Sequence, residues 1–214
     1  MLTKLPALPS EQTIRRALSE FQIELDATQI ALVQQYMGVL LKWNEKVNLT
    51  SIRDPLEMLY RHFCESMFAA TAVPLKSGRL ADVGSGGGFP GLPLKIVRPE
   101  LEVFLVESNI KKATFLAEVL RELGISGSRV LVSRYEELAE EVAPLDIVCA
   151  RALGEYANFL NWAGSERVAA KQAVLWLGGN DLEEVVSIDG WRWRDPIPIP
   201  QSLRRFLLVG EREN

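Results

Sequence analysis

The chain has 214 residues, of which 48% are hydrophobic and 24% charged, and its net charge is −4. This composition describes a globular chain able to bury a full core, as one domain or one domain with a sizeable extension. It excludes the strongly basic footprint of many nucleic-acid binders, and no apolar run reaches the roughly 18 residues that a membrane-spanning helix needs. Residues 1–78 nevertheless balance eight basic against eight acidic side chains, so a basic face remains compatible with the acidic total. The opening MLTKLPALPSEQ contains no continuous apolar stretch and does not read as a signal peptide. Cys64 and Cys149 lie among apolar neighbours at no metal-ligand spacing, and read as reduced structural thiols of a cytoplasmic protein.

Residues 10–72 carry helical periodicity. Ser10 caps a first helix with Ile14, Leu18 and Phe21 on one side, and a second begins near Asp26 with Ile30, Val33, Met37, Leu40 and Leu41 on one stripe. Asp54-Pro55 opens a third helix that runs to about Ala72, because aspartate caps well and proline is tolerated in the first turn. After Pro74 short apolar runs alternate with helical patterns: LADVG, PGLPLKIVRP, EVFLVES, KKATFLAEVLREL, SRVLVSR, EELAEEV, PLDIVCAR, EYANFLNWA and KQAVLWLGG. This βαβ order predicts an α/β fold, a mostly parallel sheet covered by helices on both faces. WRWRDPIPIP and RRFLLVGE follow without a helix between them and predict an antiparallel hairpin on the sheet edge. The expected division is a helical extension over 1–74 and a ligand-binding domain over 75–214, packed as one unit.

The stretch RLADVGSGGGFPG (79–91) fits two templates. Gly86, Gly88 and Gly91 satisfy the dinucleotide fingerprint G-x-G-x-x-G, with Glu107 about twenty residues on. Asp82, Gly84, Gly86 and Gly88 instead make an acidic-x-G-x-G-x-G loop of the kind found in S-adenosylmethionine methyltransferases. Geometry favours the second template: the strand LADV ends near Val83, so the tight turn begins at Gly84. The dinucleotide register would force glycine and serine into a central strand. A carboxylate at Asp82 would repel a pyrophosphate and attract a cationic amino-acid and sulfonium ligand, whereas Glu107 suits the ribose hydroxyls of either ligand. Tyr135 and Glu136, after the third strand, fall along the adenine edge of the same cleft or form an acidic helix start.

In order along the chain, KWNEKVNLTSI (42–52), RHFCES (61–66), DVGSGGGFPGLPLKI (82–96), VES with KKATFL (106–116) and ARAL (150–153) resemble the RsmG (GidB) family of bacterial 16S rRNA methyltransferases. The resemblance covers about residues 36–155, and FPG-x-PL is its most specific part. It implies a Rossmann-like S-adenosylmethionine-dependent methyltransferase with an N-terminal helical extension, acting on N7 of a guanine in 16S rRNA near the decoding centre. By position it implies that Gly84, Phe89, Glu107, Ser108, Asn109, Tyr135, Glu136 and Arg151 contact the cofactor. The implied partner is 16S rRNA, free or in the 30S particle, with no membrane and no metal, and a monomer is expected. Two departures stand out. The family's lysine after the fifth strand, in a pattern like LALKG, is replaced at Leu177 in LWLGG, and the usual aspartate of the RH…DS motif is Glu65. The first leaves room for a small-molecule or protein acceptor, or for a non-catalytic ribosome-associated protein that binds the cofactor.

Guanine N7 already carries an available lone pair, so its methylation requires no base. One histidine and no nucleophile–base constellation suit such a reaction. Arg61 and Arg151 are candidates for positioning the guanine through the N7/O6 edge that arginine reads, and Arg151 equally suits the cofactor carboxylate or an ion pair with Asp82. His62 reads as a helix-packing or RNA-contact residue. WRWR (191–194) reads as an edge strand with tryptophans inward and arginines outward in preference to a nucleic-acid stripe.

Overall fold

A computed structural model describes residues 5–75, 77–138 and 142–213. Helix α1 (Glu11–Ser19) begins where the Ser10 side chain accepts a hydrogen bond from the Thr13 amide. Helix α2 (Ala27–Asn44) carries a full capping box: Asp26 accepts from the Gln29 amide while the Gln29 side chain accepts from the Asp26 amide. The third helical segment is not one continuous α-helix. After α3 (Pro55–Met58) the chain widens into a π-helical turn over Leu59–Cys64, then resumes as α4 (Glu65–Met67) and α5 (Ala69–Ala72). Such turns occur often where a helix re-aims functional side chains, and this one carries Arg61 and His62.

The sheet is built from β1 (Gly78–Val83), β2 (Leu101–Val106), β3 (Ser128–Leu131), β4 (Ile147–Arg151) and β5 (Gln172–Gly178), all parallel, with β6 (Trp191–Trp193), β7 (Ile197–Pro198) and β8 (Arg205–Arg212) antiparallel to their neighbours. Its order is β3-β2-β1-β4-β5-β8-β6, with β7 paired to β8. The hairpin expected at the edge is present, with β8 on the inside and β6 outermost. Helices α6 (Gly91–Val97), α7 (Ile110–Leu123) and α8 (Tyr156–Gly164) connect the parallel strands. Helix α9 (Gly179–Val186) follows β5 and has no counterpart in the sequence reading, although Leu182, Val185 and Val186 mark its apolar side. Of the helix expected over 136–142, a 3-10 turn at Tyr135–Glu137 is seen, and residues 139–141 lie outside the described residues.

Period-two alternation sorts the strand residues between two cores. Leu80, Val103, Leu105, Ile147, Cys149, Val174, Trp176, Leu207 and Val209 share a core with α1, α2, the π-helical segment, α6 and α7. Ala81, Val83, Phe104, Val106, Val148, Ala150, Leu175, Leu177 and Leu208 face the other core, with α8 and α9. The helical extension and one face of the sheet therefore bury a common core. Strand order reverses between β1 and β4, which opens a crevice at their carboxyl ends, where ligands bind in open α/β sheets.

Candidate functional site

Strand β1 ends at Val83, and Gly84, Gly86 and Gly88 then adopt left-handed backbone with φ of 72°, 54° and 87°. The Gly84 and Ser85 amides donate to the Val106 carbonyl and tie the loop to the end of β2. Glu107, buried just beyond β2, accepts from the Gly86 amide through Oε2 at 2.9 Å and from the Asn109 amide through Oε1 at 2.8 Å. These bonds orient the carboxylate and leave each oxygen further acceptor capacity. Around it lies a cleft of about 210 Å³, lined by Gly84, Glu107, Ser108, Tyr135, Glu136 and Leu153 among others. The Tyr135 ring is braced edge-on by Trp162 at 5.0 Å.

Four residues expected at the cofactor, Asp82, Phe89, Asn109 and Arg151, are not among those lining this cleft. Asp82 shares strand parity with Leu80 and so points toward α6. It is wholly buried, accepts from the Gly91 amide through Oδ2 at 3.0 Å and faces Cys149 Sγ. Burial pushes its carboxyl up to about 7. The ring of Phe89 is stacked between Tyr36, with centroids at 5.5 Å, and His62, at 4.6 Å. Asn109 spends its side chain capping α7, accepting from the Lys111 and Lys112 amides. Of the other expected residues, Gly84, Glu107, Ser108, Tyr135 and Glu136 line the cleft, Gly86 lies beside them in the loop, and Arg151 lies outside it.

Arg151 belongs to a second constellation at the same edge of the sheet. Its guanidinium donates to the Arg61 carbonyl at 2.7 Å and pairs with Glu65 at 3.1 Å, not with Asp82. Glu65, only 2% exposed, also binds Arg61 at 3.2 Å and Arg205 at 2.7 Å, and its carbonyl accepts from the Trp176 indole. Three guanidiniums share this one carboxylate, and Glu20, Asp54 and Glu57 line the hollow beside Arg61 and Arg205. Parity again places the arginines, since Arg151 and Arg205 lie on the face shared by Cys149 and Leu207, which the π-helical turn covers. His62 Nε2 sits 2.6 Å from Thr50 Oγ1, and its Nδ1 is buried without a partner. Burial first, then the charges of Arg151 and Arg61, lower its pKa to about 3, so the ring is neutral.

A family model described as rRNA small subunit methyltransferase G matches residues 29–189. The chain belongs to the rRNA small subunit methyltransferase G family. Curated relatives bearing that name include one from Xanthomonas campestris pv. campestris (strain B100), 39% identical over 91% of this chain and 92% of its own. Another, from Chromobacterium violaceum, is 40% identical over 80% of this chain and 81% of its own. Among solved structures, a ribosomal protein L11 methylase from Lactobacillus delbrueckii subsp. bulgaricus superposes with a TM-score of 0.57 at 16% identity, covering 72% of this chain and 80% of that one. A precorrin-6y C5,15-methyltransferase from Geobacter metallireducens gives 0.58 at 12% identity, over 77% and 91%. At these identities the two structures speak for the fold alone, a Rossmann-like methyltransferase fold.

In this methyltransferase G chain, Leu177 lies buried in the core with α8 and α9, on the sheet face opposite Trp176 and Glu65. WRWR forms an edge strand with Trp191 buried, while Arg192 and Arg194 pair with Glu211. Both cysteines are free and buried. No helix among the described residues is long and apolar enough to cross a membrane, and none of their His, Cys, Asp or Glu side chains form a group of three or more placed to hold a metal. Sequence reasoning missed Arg205, whose place depends on the β5–β8 register, and Tyr36, hidden in the apolar stripe of α2.

Proposed function

We propose that the chain transfers a methyl group from S-adenosylmethionine to N7 of a guanine in 16S rRNA near the decoding centre. Beyond family membership, the observation that carries this reading is Glu107, a buried carboxylate held by the Gly86 and Asn109 amides at the mouth of a cleft beside Gly84. The residues present fit an adenosyl group. The two Glu107 oxygens retain lone pairs for a ribose diol, and Leu153 and Tyr135 offer apolar walls for a base. The exposed backbone of Gly84 admits close approach, since a Cβ there would come within 3.3 Å of Leu153.

When bound, S-adenosylmethionine supplies an electrophilic methyl group: the N7–carbon bond forms as the carbon–sulfur bond breaks, and the positive charge passes from sulfur to guanine with no proton lost from N7. The chain's own task is alignment, which supplies part of the roughly 7–11 kcal/mol available from positioning. His62, neutral and bound to Thr50, packs Phe89 and takes no proton. Asp82 secures the loop from beneath through Gly91. Arg61, Arg151 and Arg205, gathered on Glu65, suit an RNA phosphate or the guanine N7/O6 edge.

The division near residue 74 into a helical extension and a methyltransferase domain packed as one unit belongs to the same reading, and the core shared by α1, α2 and the sheet supports it. So do action as a monomer and a cytoplasmic location, where ribosomal RNA is found. The test is incubation with methyl-labelled S-adenosylmethionine and unmodified 16S rRNA or 30S particles. Label on guanine N7 is expected. Cofactor binding without transfer to any RNA form overturns the assignment.

A further inference from the structure

The glycine loop has two sides. Gly84 and Gly86 face outward, while Gly87 and Gly88 are buried against the helical extension. On that buried side the Tyr36 hydroxyl, carried by α2, donates to the Gly87 carbonyl at 2.5 Å. Tyr36 is wholly buried, its ring lies parallel to Phe89 with an interplanar angle of 7°, and Phe63 meets it edge-on at 5.1 Å. The fit is close, because a Cβ on Gly88 would overlap the Tyr36 hydroxyl.

We infer that Tyr36 is a positioning residue for the cofactor, fixing the glycine loop so that the Gly86 amide reaches Glu107. The route is short. The hydroxyl holds the Gly87 carbonyl inward, the Ser85–Gly86 peptide two units earlier presents the Gly86 amide, and that amide holds Glu107 Oε2 at 2.9 Å. The outer end of Phe89 is fixed in turn by His62, and His62 by Thr50, whose backbone is bound by Asn44 of α2. The helical extension thereby sets the geometry of a carboxylate that it does not touch. Phenylalanine would fill the same space, so what the hydroxyl adds is its bond to the buried Gly87 carbonyl.

The inference rests on the S-adenosylmethionine reading of the cleft, and calorimetric titration separates the two. Wild type and Tyr36→Phe are each titrated with S-adenosylhomocysteine and with its 2′-deoxy analogue. Loss of this bond should weaken S-adenosylhomocysteine by up to about 10-fold, the ceiling that one buried hydrogen bond sets. The deoxy analogue, which already lacks one hydroxyl offered to Glu107, should lose less. Equal affinity of the two proteins for S-adenosylhomocysteine, or an equal loss for both ligands, overturns the positioning role. A wild type that binds neither ligand removes the cofactor reading and this inference with it. Should Tyr36→Phe unfold, the wild type labelled at tyrosine Cζ gives the answer by NMR, with the other resonances assigned through Tyr60→Phe, Tyr135→Phe and Tyr156→Phe. The Tyr36 resonance should move when S-adenosylhomocysteine binds, and a stationary resonance overturns the coupling.

Discussion

Glu65 on the helical extension and Arg151 at the end of β4 meet at 3.1 Å across the interface between the helical layer and the sheet. The pair is asymmetric: Glu65 is 2% exposed, whereas the Arg151, Arg205 and Arg61 side chains around it are 17%, 27% and 37% exposed. Removing the carboxylate therefore takes the ion-pair partner from three guanidiniums, of which Arg151 keeps its bond to the Arg61 carbonyl, while removing one guanidinium leaves Glu65 two partners. Glu65→Ala should destabilise the protein by about 2–4 kcal/mol, below the full figure for breaking a buried pair because the arginines retain some solvent. Arg205→Ala should cost clearly less. Urea denaturation midpoints of the two variants check the order, and equal losses contradict a shared hub.

Glu107→Ala should separate binding from folding. Its carboxylate takes two backbone amides at the edge of the cleft, and the Gly86 amide, only half-buried, can turn to water when it is lost. The expected stability change is about 1 kcal/mol, while S-adenosylhomocysteine affinity should fall tenfold or more as the charged acceptor disappears. Calorimetry paired with thermal unfolding measures both. A large melting shift with unchanged affinity would make Glu107 a structural residue.

Strand parity explains what the sequence did and did not disclose. The turn at Gly84 was legible because LADV is a short strand-like run that must stop before GSGGG, and β1 does end at Val83. The direction of Asp82 is legible as well, since it lies two residues from Leu80 and so shares the face that α6 covers. Phe89 illustrates a limit. Its ring is captured by Tyr36 and His62, which lie 53 and 27 positions earlier (89 − 36 and 89 − 62). No local periodicity reports a contact of that kind. Arg205 joins Glu65 only through the antiparallel register that sets it opposite Gly178, and β8 could not be placed beside β5 from pattern alone.

Gly91→Ala should damage the site by overpacking. Gly91 opens α6 directly above β1, and an added Cβ would lie 2.8 Å from Asp82 Cβ and 2.9 Å from Leu105 Cδ2, both fixed in the core. The alanine itself is helix-favourable, so any loss reports the clash. A destabilisation of about 1–3 kcal/mol is expected, measured by chemical denaturation, with weaker S-adenosylhomocysteine binding because the Gly91 amide is pushed off Asp82. Wild-type stability in this variant would show that the helix can rise off the sheet freely.

Asp82 gives stability a pH dependence whose sign follows from its burial. Its carboxyl titrates near 7 in the folded chain, against an ordinary 3.8, chiefly because it is desolvated. The bonds from Gly91, Ser85 and Cys149 pull the value back, and the charge of Glu107 raises it further. Between these two values the folded chain holds a proton that the unfolded chain has released, so stability falls as pH rises from about 4 to about 7, and the fall is complete above that range. One proton allows at most about 1.4 kcal/mol per pH unit. Asp82→Asn keeps an acceptor for the Gly91 amide and cannot ionise. Relative to wild type, it should gain stability as pH is raised from 5 to 7.5 and then hold that gain. Urea unfolding of both proteins at several pH values measures the difference, and parallel curves would mean that Asp82 is ionised in the folded protein throughout.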